Sequence, residues 1–447
     1  MTQEQALKIM KTGVNVYLTG SAGSGKTYLL NEYIKYLKKH NVAVAITAST
    51  GIAATHMNGM TIHGWAGIGI RETLTQYDLE MLEDKKYLWN RFFSARVLII
   101  DEISMLHAYR LDMVDAVCRK FKRKNIPFGG LQVILAGDLF QLPPVNKNGE
   151  LNSKEMIIYS TSWKEMKIAI CYLTEQHRQD DAPFLNILNA IRDNKINEKH
   201  REILSSRLDV SLGKNINPTK LYTHNKNVDM ENSERLNMVN GEIRKYEMTS
   251  CGSDVLVEIL KKGCLAHQEL CLKVGAEVMF IKNNFEEGYV NGTRGLVIDF
   301  TNEEMPIVKI QNGRNIIASM ESWAIEENGK VKASINQIPL RLAWAITIHK
   351  SQGMSLDNAE IDLGNTFGFG MGYVALSRVR TLSGIRLVGF NPKALLVDPE
   401  VLIFDKNLRA QSTENEILFS KLKNEEQEKL EGEFILKMDG VLQVNKK

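Results

Sequence analysis

Eight consecutive residues, Gly20-Ser21-Ala22-Gly23-Ser24-Gly25-Lys26-Thr27, constrain this chain more than any other stretch. They follow the apolar run VNVYLT (14–19) and open a segment with helical patterning through Lys39. Strand, glycine-rich loop and helix in that order make a phosphate cradle. Backbone N–H groups turn toward the phosphates, and the helix N-terminus adds a favourable dipole. Lys26 is placed to reach the β- and γ-phosphates of ATP, and Thr27 to hold Mg²⁺. Further short apolar runs at 42–47, 96–100 and 131–136 are separated by helical stretches. That pattern predicts an α/β fold with a mostly parallel sheet covered by helices.

Asp101 and Glu102 end the run VLII. A strand tip beside the phosphate loop lets Asp101 reach the metal and Glu102 orient and deprotonate water as general base. Gln141 lies in GDLFQLPP after the 131–136 run, and its uncharged amide suits sensing of a γ-phosphate or attacking water. The alternative is a plain strand-end turn closed by Pro143 and Pro144. Arg178 in TEQHRQ and Arg378 in YVALSRVRT fall outside the first sheet. Each fits a surface charge or a guanidinium on the transferring phosphoryl group.

The chain has 447 residues, enough for roughly two to four domains. With 44% apolar and 24% charged residues it has the material for real cores. The net charge of +3 neither announces nor forbids a nucleic-acid partner. Five cysteines without a C-x-x-C pair suggest reduced thiols and no structural zinc. With no apolar signal core at the start and no run of about eighteen apolar residues, a cytoplasmic protein without a membrane span is expected.

After the first α/β unit, 181–206 and 225–239 look helical and 219–224 looks like a strand. From about 242 to 330 short β-rich pieces follow, at 254–260, 276–281, 294–300 and 305–310, with turns at Asn291-Gly292 and Asn328-Gly329. The α/β pattern resumes at 341–348, with a helix around 372–380 and a strand at 384–388. In the tail, 413–430 has helical patterning and 433–444 has the pattern of a hairpin turning at Asp439-Gly440. An ordered accessory element and a mobile tail both fit it.

Eight motifs stand in a fixed order: GSAGSGKT (20–27), TASTGIAA (47–54), TIHGWAGIG (61–69), IIDEISM (99–105), GDLFQLPPV (137–145), EQHR (175–178), TIHKSQG (347–353) and YVALSRVRT (373–381). This set resembles the superfamily 1 group B DNA helicases, RecD-related, and NIPFGGLQVILAGDLFQLPPV (125–145) particularly resembles their petite integration frequency (Pif) branch. The resemblance covers about residues 3–390. It implies two RecA-like motor domains, 1–175 and 176–241 with 331–400. It also implies a wedge near 55–75, an SH3-like β-barrel insertion at 242–330 and a C-terminal extension at 401–447. Gln3, or nearby Gln5, would read the adenine edge. Lys26, Thr27, Asp101, Glu102 and Gln141 match the ATP and Mg²⁺ residues, and Arg178 and Arg378 match two arginines at the γ-phosphate. Gly353 falls in the motif that bridges ATP and DNA.

The same resemblance implies 5′-to-3′ movement on single-stranded DNA, with duplex, fork, G-quadruplex or DNA–RNA hybrid substrates and a monomer or transient dimer on DNA. Candidate DNA contacts are Ser49 and Thr50 in a small-residue turn, His63 and Trp65 near the wedge, Phe140, and His349, Lys350 and Ser351 before Gly353. Trp65, His63 and Phe140 fit core packing as well. A translocase or nuclease-complex motor subunit carries the same motor motifs. A nucleotide-gated binding module without turnover would need neither Glu102 nor the arginines.

Overall fold

The computed structural model describes the chain except residues 70, 145–154, 180, 214–217, 224–227, 285, 290, 311, 328–329, 365, 367 and 443–447. Its first sheet has six parallel strands, β1 (Asn15–Gly20), β2 (Val44–Ala48), β3 (Met60–Thr61), β4 (Val97–Asp101), β5 (Gln132–Ala136) and β6 (Ile168–Leu173). Their order is β3-β2-β4-β5-β1-β6. Every residue of β4 and β5 is buried, which is why these runs are continuously apolar rather than alternating. The register aligns Ala48 with Asp101 and Leu18 with Ala136, so the motif-bearing loops leave the sheet along one edge.

Helix Lys26–Lys39 packs Leu29, Leu30, Tyr33, Ile34 and Leu37 against this sheet. The N-terminal helix Gln3–Lys11 begins at a Thr2 capping box. Residues around the expected wedge behave differently from a free projection. Met60–Thr61 joins the sheet edge, and Ile62–Trp65 forms a short helix whose Ile62 and Trp65 are buried.

A second parallel sheet runs in the order Ala345–Thr347, Thr219–Tyr222, Ala359–Leu363, Ile385–Phe390. Between its strands lies the β-rich module. Five antiparallel strands follow the order Asn315–Ile317, Pro306–Ile310, Arg294–Phe300, Glu277–Phe280, Leu340–Leu342. A three-stranded sheet and a two-stranded ribbon accompany them. The strand expected at 254–260 is instead the helix Asp254–Gly263. Ser253 and Asp254 open it, and Val257 and Leu260, three apart, are its buried residues. Its β-branched residues favoured a strand only while that spacing was overlooked. The turn placed at Asn328-Gly329 lies outside the described residues.

The tail is two helices, Pro399–Ser420 and Asn424–Lys437. The hairpin expected at 433–444 is therefore absent among the described residues, because 433–437 continue the second helix. The first helix lies along the edge strand β6. The Tyr172 N–H donates to Ser412 Oγ (3.0 Å) and Asn415 Nδ2 donates to the Ile170 carbonyl (3.3 Å). The Met1 amino group donates to the Tyr172 carbonyl (2.8 Å), so both chain ends cover an edge that would otherwise expose backbone groups. The second helix buries Phe434 and Ile435 in a cluster with Ile9 and Met10. Among the described residues no helix is long and apolar enough to cross a membrane.

Truncating Phe434 to Ala should remove about 3 kcal/mol of packing and lower the melting temperature by several degrees. An unchanged melt in differential scanning calorimetry would show that the last helix is only loosely attached.

Candidate active site

The ends of β1, β4 and β5 and the second α/β unit enclose a cleft of about 530 Å³. Its lining includes Lys26, Thr27, Asp101, Glu102, Gln141, Arg178, Gly353 and Arg378. Eight residues singled out in six separate motifs therefore share one cavity.

The phosphate loop is held in shape from several sides. Lys26 Nζ donates to the Gly20 and Ser21 carbonyls at 2.9 and 3.0 Å. Gly25 sits at φ 82°, and a side chain there would collide with the Gln3 amide. Gln3 Nε2 donates to the Ser24 carbonyl (3.2 Å), which puts this residue beside the helix that opens at Lys26. The segment 175–179 clasps the loop from the other flank. Glu175 accepts from the Gln3 N–H (2.6 Å), Gln176 Nε2 donates to Ser21 Oγ (2.5 Å), and the His177 N–H donates to the Gly23 carbonyl (3.0 Å).

Asp101 and Glu102 are neighbouring buried carboxyls. Burial, and then the Glu102 charge, push Asp101 up to about 7. Burial also raises Glu102, against the pull of Lys26 and Arg378. Glu102 adopts φ 51° and ψ 45°, a left-handed conformation that is uncommon outside glycine. Ser49 stabilises this turn, because its Oγ donates to the Glu102 carbonyl (2.6 Å) and its N–H to the Asp101 carbonyl (3.0 Å). The Gln141 side-chain oxygen is buried with no hydrogen-bond partner in the structure, as expected of a group built to meet a ligand or water in the cleft.

Two guanidinium groups face these carboxyls. Burial, with Arg378 alongside, brings Arg178 down to about 9. Arg378 is 1% exposed, and its Nε and Nη2 donate to the Val374 carbonyl and Ser377 Oγ, both at 3.0 Å. Burial lowers its pKa too, while Glu102 opposes the shift. Two buried like charges side by side favour an anion between them. A nucleotide triphosphate with its divalent cation fits this set: oxygen donors at Thr27 and Asp101, an unpartnered amide oxygen at Gln141, and three cations within one cavity.

The expected DNA contacts divide. Thr50, His349 and Lys350 line the cleft, and Ser49 supports Glu102 as described. Trp65 is a core residue, 3% exposed and 4.5 Å from the Phe92 ring, so no indole face is open to a base. Phe140 is likewise buried, beneath the Arg192 guanidinium at 4.4 Å. Ser351 is fully buried and its Oγ donates to the Ile348 carbonyl (2.7 Å). His63 is pushed down to about 4 by burial, then by Arg110 and His107, so it is neutral at pH 7 and offers hydrogen bonds rather than charge. The sequence reading missed Glu175, Gln176, Asp138, Arg192 and Tyr373. The first two flank a motif arginine, whereas the Asp138–Arg192 pairing joins residues 54 apart and had no local signal.

Comparison with known proteins decides the family. Residues 3–202 match the PIF1-like helicase model, and residues 256–300 match the 2B domain of DNA helicase Pif1. The chain is 44% identical over 501 residues to an ATP-dependent DNA helicase Pif1 of Psychrobacter sp., covering 99% of this chain and 76% of that protein. The chain belongs to the PIF1-like helicase family. It spans just under two thirds of the length of the vertebrate PIF1 proteins it matches. Among solved structures, Bacteroides sp. Pif1 in complex with ADP-AlF4 superposes with a TM-score of 0.78 at 31% identity, covering 92% of this chain and 96% of that one. Bacteroides Pif1 bound to ssDNA gives 0.63 at 33% identity, covering 92% and 97%. Unliganded Pif1 from Bacteroides sp. gives 0.77 at 33% identity, covering 91% and 96%, so the arrangement of this PIF1-like chain is nearer those two structures than the one bound to ssDNA.

The raised pKa values have a consequence for stability. A carboxyl with a raised folded pKa costs stability in full above that value, and the cost falls away as pH drops from it toward the lower unfolded pKa. Without nucleotide or metal, Glu102→Gln should therefore melt higher than the parent at pH 8, with the gap narrowing toward pH 5. A gap that widens on acidification in thermal melts would contradict the repulsion described.

Proposed function

We propose that this chain is an ATP-dependent DNA helicase that translocates 5′ to 3′ on single-stranded DNA and unwinds duplex or forked substrates. The observation that carries the reading is the meeting of Arg178 and Arg378 with the phosphate loop, Glu102 and Gln141 in one cleft between two α/β units. The names of relatives support it: ATP-dependent DNA helicases, and solved structures described with ADP-AlF4 and with ssDNA. G-quadruplexes and DNA–RNA hybrids belong to the same proposal as further substrates.

In this reading the units 1–175 and 176–241 with 331–400 are RecA-like motor domains. The antiparallel module is an SH3-like barrel, and 55–75 contributes the base of a wedge. Lys26 neutralises β- and γ-phosphate oxygens, and Gln3 holds the adenine edge. Thr27 and Asp101 would hold Mg²⁺, whose charge would offset that developing on the phosphates. Burial raises both carboxyls, and a cation held beside them would favour their ionised forms. Glu102 then accepts a proton from water positioned by Gln141. Arg178 and Arg378 stabilise the charge on the transferring phosphoryl group.

Because the arginines reach the cleft from outside the first sheet, ATP draws the units together and hydrolysis releases them. Alternate grip on one strand turns this cycle into steps. Thr50, His349 and Lys350, on the cleft wall, stand where ATP state is passed to the strand.

Glu102→Gln should retain nucleotide binding while turnover falls by at least about 100-fold, the scale of a lost general base. Turnover near that of the parent in a steady-state phosphate-release assay would remove Glu102 from this role.

Single-turnover unwinding of matched duplexes with a 5′ or a 3′ single-stranded tail tests the polarity. Unwinding from the 5′ tail alone is expected. Unwinding from the 3′ tail alone would keep the motor and reverse the direction. DNA-stimulated hydrolysis without unwinding would make the chain a translocase or a partner-dependent motor subunit.

A further inference from the structure

A buried polar cluster adjoins the cleft without lining it. Asp138 is fully buried, Tyr373 is 1% exposed and Arg192 is 2% exposed. Arg192 Nη1 donates to Asp138 Oδ2 at 2.6 Å and to the Tyr373 hydroxyl at 3.1 Å. Arg192 Nη2 donates to the Tyr172 hydroxyl at 2.7 Å. The Tyr373 hydroxyl donates to Asp138 Oδ2 at 3.2 Å and accepts from the Ala22 N–H of the phosphate loop at 3.0 Å.

A phenol has one proton to give and two lone pairs to offer. All three are used here: Ala22 and Arg192 donate in, and the proton goes to Asp138. Tyr373 is therefore saturated, and its position is fixed from three directions. Those directions lead to the phosphate loop, to the turn that carries Gln141, and to helix Ala182–Arg192. Tyr373 itself lies on helix Met371–Ser377, and Arg378 is the C-cap residue of that helix. The Arg378 side chain is tied back to the same helix by Val374 and Ser377. A backbone amide of the phosphate loop is thus connected to the guanidinium across the cleft by hydrogen bonds at either end of helix Met371–Ser377.

We infer that Tyr373 is a positioning residue that sets the Arg378 guanidinium against the phosphate loop through its hydrogen bond from Ala22. This rests on the ATPase reading and adds a residue to it. The consequence is selective. The Ala22–Tyr373 bond matters most where Arg378 bears on the transferring phosphoryl group, so a transition-state mimic should feel its loss more than a diphosphate does. The aromatic ring and the Arg192–Asp138 ion pair both survive Tyr373→Phe, so the substitution withdraws the hydroxyl with little loss of packing.

The test uses the full chain and compares affinities for ADP–Mg²⁺ alone and with aluminium fluoride, in four proteins: parent, Tyr373→Phe, Arg378→Ala and the double variant. Tight aluminium fluoride binding by the parent checks the ATPase reading itself, and its absence would overturn that reading, whatever the variants do. Given tight binding, Tyr373→Phe should leave ADP within about threefold and weaken the aluminium fluoride complex roughly tenfold, the scale of one buried hydrogen bond. In the Arg378→Ala background it should add less than about twofold, because the two residues act as one unit. Equal weakening of both ligands, or the same tenfold loss without Arg378, would reduce Tyr373 to packing and overturn the inference. If Tyr373→Phe does not fold, Arg192→Lys is read in the same way. It keeps a cation beside Asp138 and lacks the guanidinium fork that also reaches Tyr373. The same selective loss is expected, and equal weakening of both ligands overturns the inference.

Discussion

Five ionisable groups, Lys26, Asp101, Glu102, Arg178 and Arg378, share one partly dry cleft, and the rest of the structure is arranged to hold them there. Burial opposes the charged form of each, lowering the three cations and raising the two carboxyls. Such a set is poorly stabilised by itself, since the two arginines repel and the two carboxyls repel. Asp138 offsets part of the cost at Lys26, and Glu102 part of that at Arg378. A polyanion with a divalent cation would complete both halves at once, offering negative charge to the cations and positive charge to the carboxyls.

Holding such a cluster needs rigid supports, and the parallel sheet provides them. Strands β1, β4 and β5 are neighbours in space although other elements separate them in sequence, so three loops leave side by side. The left-handed backbone at Glu102 is the local cost of aiming that carboxyl, and the Ser49 bonds to residues 101 and 102 hold it in place. Opposite, the Gln179 amide donates to the Ser377 carbonyl (3.0 Å), binding the segment that carries Arg178 to the helix that ends at Arg378. The two arginines consequently approach the cleft as a pair.

Much of this was readable in the sequence because the chemistry is written in contiguous motifs. Lys26, Thr27, Asp101, Glu102 and Gln141 sit at strand ends that short apolar runs announce, and Arg178 and Arg378 were found by the same motifs. What escaped depends on contacts distant in sequence. Ala22 meets a hydroxyl 351 residues away, and no local pattern encodes that pairing. Trp65 and Phe140, which fitted core packing or a DNA contact, were left open for a related reason. Trp65 and Phe140 stand in motifs with polar neighbours, yet tertiary packing turned one onto Phe92 and the other beneath Arg192. A helix was expected at 413–430, where two helices stand, whereas 254–260 and 433–437 were read otherwise because β-branched residues and a turn-forming Asp439-Gly440 outweighed the helical period.

The tail bears on how the two units are joined. The chain passes from the first unit to the second near residues 174–181, and near 396–399 it leaves the second sheet for the helix that runs along β6. The chain thus links the two α/β units at two places. At the tail crossing, Arg409 pairs with Asp405 on its own helix and with Asp193 at the end of helix 182–192 (2.6 and 3.6 Å). That same helix carries Arg192 into the Asp138–Tyr373 cluster. One helix therefore joins the polar cluster beside the cleft to the tail crossing.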